Sequence, residues 1–115
     1  MAHWHLREVK LAIEKLGWRV VSELPGDHYS IAQVWKIQRS PKEPTFFIEI
    51  GAMDGDGNLT PLDQAYECAV RDHPKIALYF GKRGLPQSKS RIRWRTELTQ
   101  FVKDLESIAG KRDRT

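Results

Sequence analysis

The chain has 115 residues and a mass of 13.3 kDa, with 40% hydrophobic and 30% charged residues. This size and composition fit one small folded domain and exclude wholesale disorder or collagen-like structure. No run of residues approaches the roughly 20 apolar positions of a membrane span, and the N-terminus lacks the apolar stretch of a secretion signal. We therefore expect one intracellular, cytoplasmic domain over residues 1–110, a charged tail at 111–115 that frays, and no membrane partner.

The formal charge of +4 conceals an uneven distribution along the chain. Residues 43–72 carry seven acidic side chains and one basic side chain, whereas residues 73–96 carry seven basic and no acidic ones. Basic side chains interleaved with an aromatic ring suit nucleic acid, because they neutralise phosphates while the ring stacks on a base. The alternative is an edge strand whose charges prevent aggregation. The candidate nucleic-acid interface is Lys82, Arg83, Lys89, Arg91, Arg93, Trp94 and Arg95.

The first half of the chain predicts a helix followed by three strands. Apolar residues recur at helical spacing from Leu6 to Leu16, and Gly17 follows where a helix C-cap belongs. The residues after it favour strands at 18–23, 30–38 and 45–50, separated by turn-forming segments. Three successive strands indicate an antiparallel meander.

The second half predicts alternating helices and strands. Thr60 and Pro61 form a helix start, so we expect a helix over 61–71 that ends before His73-Pro74, and then a strand at 75–80 parallel to its predecessor. The alternating segment 91–95 predicts a short edge strand, and residues 98–108 predict a last helix. The expected fold is α/β, of the α+β type: a mixed sheet of four to five strands with flanking helices, in the order α-β-β-β-α-β-(β)-α. Residues expected in its core include Phe46, Ile48, Leu62, Tyr66, Ala69, Ile76 and Leu78.

Metal-binding motifs are weak in this sequence. The segment 53–58 has carboxylates at alternate positions, but Leu59 stands where a calcium loop needs glycine and Ala65 where it needs glutamate. The four histidines lack the spacing of zinc ligands, and no phosphate-binding glycine motif is present. A single cysteine, Cys68, allows no intrachain disulfide. We expect no metal and no cofactor from these motifs.

Glu49 is the most unusual single residue, because it interrupts the apolar strand segment 46–50. A carboxylate in a sheet needs a basic partner, a metal ion or water. Glu49 therefore either belongs to a site or shares a face with Phe47 near a sheet edge, where it meets solvent or a basic side chain.

Several of these features together resemble the restriction-endonuclease-like fold, also called PD-(D/E)XK, and in particular the small cyanobacterial excision-controlling-factor (H-type) proteins. The features are a first helix ending at Gly17-Trp18, Asp27 in the turn Pro25-Gly26-Asp27, the Ile48-Glu49-Ile50 strand, and a helix carrying Gln64 and Tyr66. The resemblance spans roughly residues 5–80. It implies that Asp27 and Glu49 would bind a divalent metal such as Mg²⁺. The lysine of the family's motif is missing, because Gly51 occupies its position. Lys36 would substitute only if its side chain faced Glu49.

Three functions remain open at this point. The first is a non-catalytic binding domain on a degenerate nuclease-like scaffold, which binds nucleic acid through the basic residues or binds a protein partner. The second is a protein-interaction or homodimer assembly module. The third is a metal-dependent nuclease that uses Asp27, Glu49 and Lys36 with Mg²⁺.

Overall fold

A computed structural model describes residues 4–27, 31–53, 56, 58–60, 65–79 and 91–112. These residues form an α+β fold with five strands and two helices. In chain order the elements are α1 (Trp4–Glu14), β1 (Arg19–Pro25), β2 (Ile31–Gln38), β3 (Phe46–Gly51), β4 (Glu67–Val70), β5 (His73–Tyr79) and α2 (Arg91–Arg112).

The five strands form one sheet in sequence order, β1-β2-β3-β4-β5. Every neighbouring pair is antiparallel. Among the described strands β3 is central, and it pairs Glu49 with Val34 of β2 and with Ala69 of β4. The meander predicted for the first three strands is confirmed, and each predicted boundary lies within two residues of the observed one.

Gly17 forms the C-terminal cap of α1, as the sequence predicts. Its φ of 94° is the left-handed conformation that glycine adopts without a steric penalty. The Gly17 amide donates to the carbonyl of Glu14, and the Trp18 amide donates to the carbonyl of Ile13. These two bonds form a Schellman motif, with the buried Trp18 and Ile13 supplying its hydrophobic contact. This turn places the Trp18 side chain in the core.

Both helices contribute to one core on the same side of the sheet. That core joins apolar residues of α1 and α2 to strand residues such as Trp35, Ile48 and Leu78. We call this the inner face. Because side chains alternate along a strand, the intervening residues lie on the opposite, outer face. The outer face includes Leu24, Val34, Lys36, Phe47, Glu49, Glu67, Ala69, Lys75, Ala77 and Tyr79.

The predicted helix over 61–71 is wrong for its described part, because residues 67–70 form strand β4. Cys68 and Val70 are buried while Glu67 and Ala69 are half-buried, which is the alternation of a strand. A two-residue turn, Arg71-Asp72, then leads directly into β5, and Asp72 adopts a φ of 71°. Residues 61–64, with the predicted helix start and Leu62, lie outside the described residues.

Because residues 67–70 form a strand, the pairing of the sheet also differs from the predicted one. With β4 and β5 joined by a tight hairpin, β5 runs antiparallel to its neighbour, so the predicted mixed sheet with a parallel crossover is wrong. Of the predicted core residues, Phe46, Ile48, Ile76 and Leu78 are buried, whereas Tyr66 and Ala69 are half-buried.

The predicted edge strand at 91–95 is also wrong, because Arg91 begins α2. The last helix is therefore longer than the predicted 98–108 and continues through Arg112. Its core residues are Leu98, Phe101, Val102, Leu105 and Ala109, at the helical spacing seen in the sequence. Within the described part of the chain, no helix combines the length and apolar character needed to cross a membrane.

Candidate functional site

The central feature of the outer face is an arginine whose guanidinium lies over an aromatic ring. The Cζ atom of Arg71 lies 4.7 Å from the centroid of the Phe47 ring. Its Nε donates a 2.8 Å hydrogen bond to Oε2 of Glu49, and its backbone amide donates to the carbonyl of Phe47 at 2.8 Å. Ring, carboxylate and backbone together fix the plane of the guanidinium, and they leave its two Nη atoms without a partner among the described residues.

The register of the sheet explains why these three residues meet. Phe47 and Glu49 are two apart on β3, so both project from the outer face. Arg71 follows Val70, which pairs with Ile48, and this places the turn beside Phe47. Glu49 itself pairs with Val34 and Ala69, whose short side chains leave room for the ion pair. The local fold therefore brings together residues 22 positions apart.

Lys36 lies on the other side of the Phe47 ring. Its register partner on β3 is Phe47, and directly opposed side chains in an antiparallel pair lie about 5 Å apart at Cβ. No ion pair or hydrogen bond of the Lys36 side chain joins it to another described residue. An aromatic ring is thus flanked by two cationic side chains, of which Arg71 is neutralised in part by Glu49.

The rest of the outer face is partly open. Tyr79 and Lys75 of β5 are exposed, with 57% of the Tyr79 surface accessible, and at the edge of the sheet they line a pocket of about 400 Å³ with Glu97, Gln100 and Asp104 of α2. Val34 is buried on this face, and Phe47, Glu49 and Ala69 are half-buried. We use the name outer-face site for Lys36, Phe47, Glu49, Arg71, Lys75 and Tyr79.

The three candidate catalytic residues are not gathered in one place. Glu49 and Lys36 share the outer face as diagonal neighbours, but the Glu49 carboxylate is bonded to Arg71. Oδ1 of Asp27 accepts a hydrogen bond from the Ile31 amide at the turn between β1 and β2. Asp27 lies three residues beyond Leu24, the β1 residue in register with Val34, which is about 10 Å along the strand. Among the described residues there is no group of three or more His, Cys, Asp or Glu that could hold a metal ion.

The sequence offered two interpretations of Glu49: that it belongs to a site, or that it shares a face with Phe47 near a sheet edge and meets solvent or a basic side chain. The structure agrees with the second interpretation only in part. Glu49 shares a face with Phe47 and meets a basic side chain, as that interpretation expected. It does not lie near an edge, because β3 is the central strand of the five.

Gly51 occupies a crowded position at the end of β3. A Cβ atom there would lie 3.3 Å from the ring of Tyr66 and 3.3 Å from the side chain of Glu67. The Tyr66 amide also donates to the carbonyl of Gly51 at 2.9 Å. The position that the family's lysine would take is therefore packed against Tyr66 in this chain.

The basic residues of segment 73–96 do not form one strip in the described part of the chain. Lys75 lies on edge strand β5 and lines a pocket with Glu97 and Asp104 of α2, whereas Arg95 lines a different pocket between α1 and α2. Because 91–95 is helical, alternate positions do not share a face, and the equal spacing expected for three arginines is wrong. Lys82, Arg83 and Lys89, and the side chains of Arg91, Arg93 and Trp94, lie outside the described residues.

A second charged cluster ties the helices to the sheet. Arg39 donates two hydrogen bonds to the carboxylate of Glu43 and one of 2.9 Å to Oε1 of Glu106. The other oxygen of Glu106 accepts from Nε1 of Trp18 at 2.6 Å. The hydrogen bond to Glu43 raises the pKa of the Arg39 guanidinium above its ordinary value, and burial opposes that shift. Since these groups satisfy one another, the cluster has the character of a structural support.

Sequence reasoning missed Arg71 and Tyr79. The sequence prediction placed Arg71 at the end of a helix, and it placed Tyr79 in a strand without assigning it to a site. The sequence does contain a signal for the hairpin that positions Arg71. The apolar residues Cys68 and Val70 stand at alternate positions ahead of Arg71-Asp72, a pair that suits a tight turn.

Comparisons of the chain with protein-family models, with curated proteins and with solved structures found no match. The resemblance to restriction-endonuclease-like proteins therefore stays a prediction from the sequence.

Proposed function

We propose that this protein is a non-catalytic binding domain that holds single-stranded nucleic acid on the outer face of its sheet. The observation that carries the proposal is the stacked and anchored guanidinium of Arg71 over Phe47, next to Lys36. Such an arrangement offers a rigid planar cation whose free Nη groups can donate to phosphate or to a base edge.

The shape of the site favours a single strand over a duplex. Single strands are commonly recognised by splaying their bases onto aromatic rings or guanidinium planes of a sheet, while basic side chains follow the backbone. Here Arg71 over Phe47 provides one platform, and the exposed ring of Tyr79 on β5 provides a second. Lys36 and Lys75 are the basic side chains that accompany them.

The charge of the site predicts weak binding. Three cations, Lys36, Arg71 and Lys75, stand against the carboxylates of Glu49 and Glu67, and Glu97 and Asp104 of α2 line the same pocket as Lys75. The number of phosphates neutralised is therefore small, and each contact to a single strand contributes about 0.7 to the salt slope. We expect a slope of about 1 to 2 and little preference among sequences.

The proposal is tested by titrating a fluorescent oligothymidylate with the protein at low salt and following anisotropy. Arg71→Gln should weaken binding severalfold, because it removes both a phosphate donor and a stacking surface. Arg7→Gln is the matched control, since it removes one positive charge from an exposed position on α1 in the helical layer. Equal losses in the two variants would show that only net charge matters, and no binding by the wild type would overturn the proposal.

A further inference from the structure

A groove runs between α1 and α2 on the side of the helices away from the sheet. Its volume is about 980 Å³, and it is lined by apolar and charged residues of both helices. Leu11 and Leu16 line it while remaining 53% and 49% exposed, and Leu98 and Val102 of α2 contribute from the core side. Two leucines of this exposure beside one groove make an apolar surface of the kind that marks an interface.

The charged residues around the groove differ in sign between the two helices, with one exception on each. Glu8 and Glu14 stand on α1, and Arg95 and Lys103 stand on α2. None of these four side chains forms an ion pair or a hydrogen bond with another described residue. Lys15 is the exception on the α1 side, and Glu106, whose carboxylate binds Trp18 and Arg39, is the exception on the α2 side. The groove therefore has unpaired charges of both signs on its two sides, around an apolar middle.

We propose that this groove is the interface of a homodimer, occupied by the helices of a second copy of the chain. A twofold axis along the groove sets α1 of each copy against α2 of the other. Glu8 and Glu14 then approach the partner copy's basic side, and the same contacts are repeated by symmetry. Leu11 and Leu16 enter the apolar middle, which gives an apolar centre and a charged rim.

The self-complementary charges are the reason for choosing a second copy as the occupant. A surface with one acidic and one basic side matches itself after a twofold rotation, whereas a partner of a single charge would be repelled by one side. The layer formed by the two helices covers about 500 Å², since each helix is about 10 Å wide and α1 and α2 are about 17 Å and 33 Å long. This is below the about 800 Å² per partner of a standard stable complex, so we expect a reversible dimer in the micromolar range.

This inference does not rest on the proposed function. In the dimer the two helical layers meet at the centre, and the two outer faces of the sheets point away from each other. Nucleic-acid binding and dimer formation can therefore fail or succeed separately.

Sedimentation velocity from about 1 µM to 1 mM protein tests the interface, a range set by the expected affinity. The wild type should pass from monomer to dimer, and Leu11→Asp should remain monomeric with an unchanged circular dichroism spectrum. Val21→Asp is the matched control, because Val21 is 46% exposed on edge strand β1 and does not line the groove. A wild type that stays monomeric throughout overturns the proposal, as does a dimer that Val21→Asp abolishes and Leu11→Asp does not.

A charge-swap experiment tests the specific arrangement. One variant carries Glu8→Lys and Glu14→Lys, so both sides of its groove are basic, and the other carries Arg95→Glu and Lys103→Glu, so both sides are acidic. Each variant alone should be monomeric at concentrations where the wild type dimerises, and an equimolar mixture should form the heterodimer. If either variant alone dimerises as strongly as the wild type, or if the mixture stays monomeric, the arrangement is wrong.

Discussion

Trp18 donates its indole Nε1–H to Glu106 across 2.6 Å, and this bond joins residues 88 positions apart in the chain. Trp18 is fully buried where α1 meets β1, and Glu106 lies in the middle of α2. The same carboxylate binds Arg39 at the end of β2. One glutamate therefore connects the first helix, the sheet and the last helix.

Replacing Glu106 with Ala should lower the free energy of unfolding by about 1 to 3 kcal/mol, because a buried indole N–H is left without its acceptor. Arg39 keeps its bonds to Glu43, which limits the loss. Urea denaturation followed by tryptophan fluorescence measures the change. Ser107→Ala, at the exposed neighbouring position, should stay within about 0.5 kcal/mol of the wild type. A neutral Glu106→Ala would show that the cluster does not support the fold.

The turn after α1 predicts a rank order of stability at position 17. With φ at 94° and only the Cγ of Arg39, 3.9 Å away, near a new Cβ atom, a substitution there meets conformational strain without a steric clash. Gly17→Ala should cost about 1 kcal/mol, and Gly17→Asn should cost less because asparagine tolerates the left-handed conformation. Thermal unfolding of the three proteins gives the order. An alanine variant as stable as the wild type would contradict the motif.

Cys68 should make stability fall at alkaline pH. Burial, with a smaller contribution from the Glu67 carboxylate, raises the pKa of its thiol in the folded state. The resulting contribution to the free energy of unfolding is complete below the thiol pKa of the unfolded state, about 8.5. It is lost as pH rises above that value, by at most about 1.4 kcal/mol per pH unit. Denaturation of the wild type between pH 8 and 10 should show this decline relative to Cys68→Ala. Parallel curves for the two proteins would contradict it, as would rapid native-state labelling of the thiol.

No metal-dependent cleavage is expected of this chain. Glu49 is bonded to Arg71, and Asp27 is bonded to the Ile31 amide at a separate turn. Incubation of single- and double-stranded DNA with Mg²⁺ or Mn²⁺ should leave both intact, and Gly51→Lys should not create activity, because position 51 is packed against Tyr66. Cleavage by the wild type that Glu49→Ala abolishes would restore the nuclease hypothesis.

Local patterns predicted the first half of the fold well. The helical spacing up to Leu16, the glycine cap and the apolar strands separated by turns are all short-range features, and they led to α1 and β1–β3. Residues 67–70 were predicted as part of a helix because the apolar residues of that segment fit both a helix and an alternating strand. Pairing with β3 and β5 decided between them, and such pairing is non-local.

The candidate site depends on the same non-local pairing. The sequence singled out Glu49 as a carboxylate in need of a partner, but that partner, Arg71, becomes adjacent only through the hairpin of β4 and β5. The arginines of 91–95 were placed on a strand because alternating residues favour one locally. The helix that includes them instead buries Leu98, Phe101 and Leu105 further along α2.

Amide chemical-shift mapping shows whether single-stranded nucleic acid binds on the outer face of the sheet. A short oligothymidylate is titrated into ¹⁵N-labelled protein at low salt and at a constant protein concentration, so that dilution does not change the proportion of dimer. The account predicts that the shifts concentrate at Lys36, Phe47, Arg71 and Tyr79 and that they are lost in Arg71→Gln. Shifts concentrated along α1 and α2, or no shifts at saturating oligonucleotide, would contradict it.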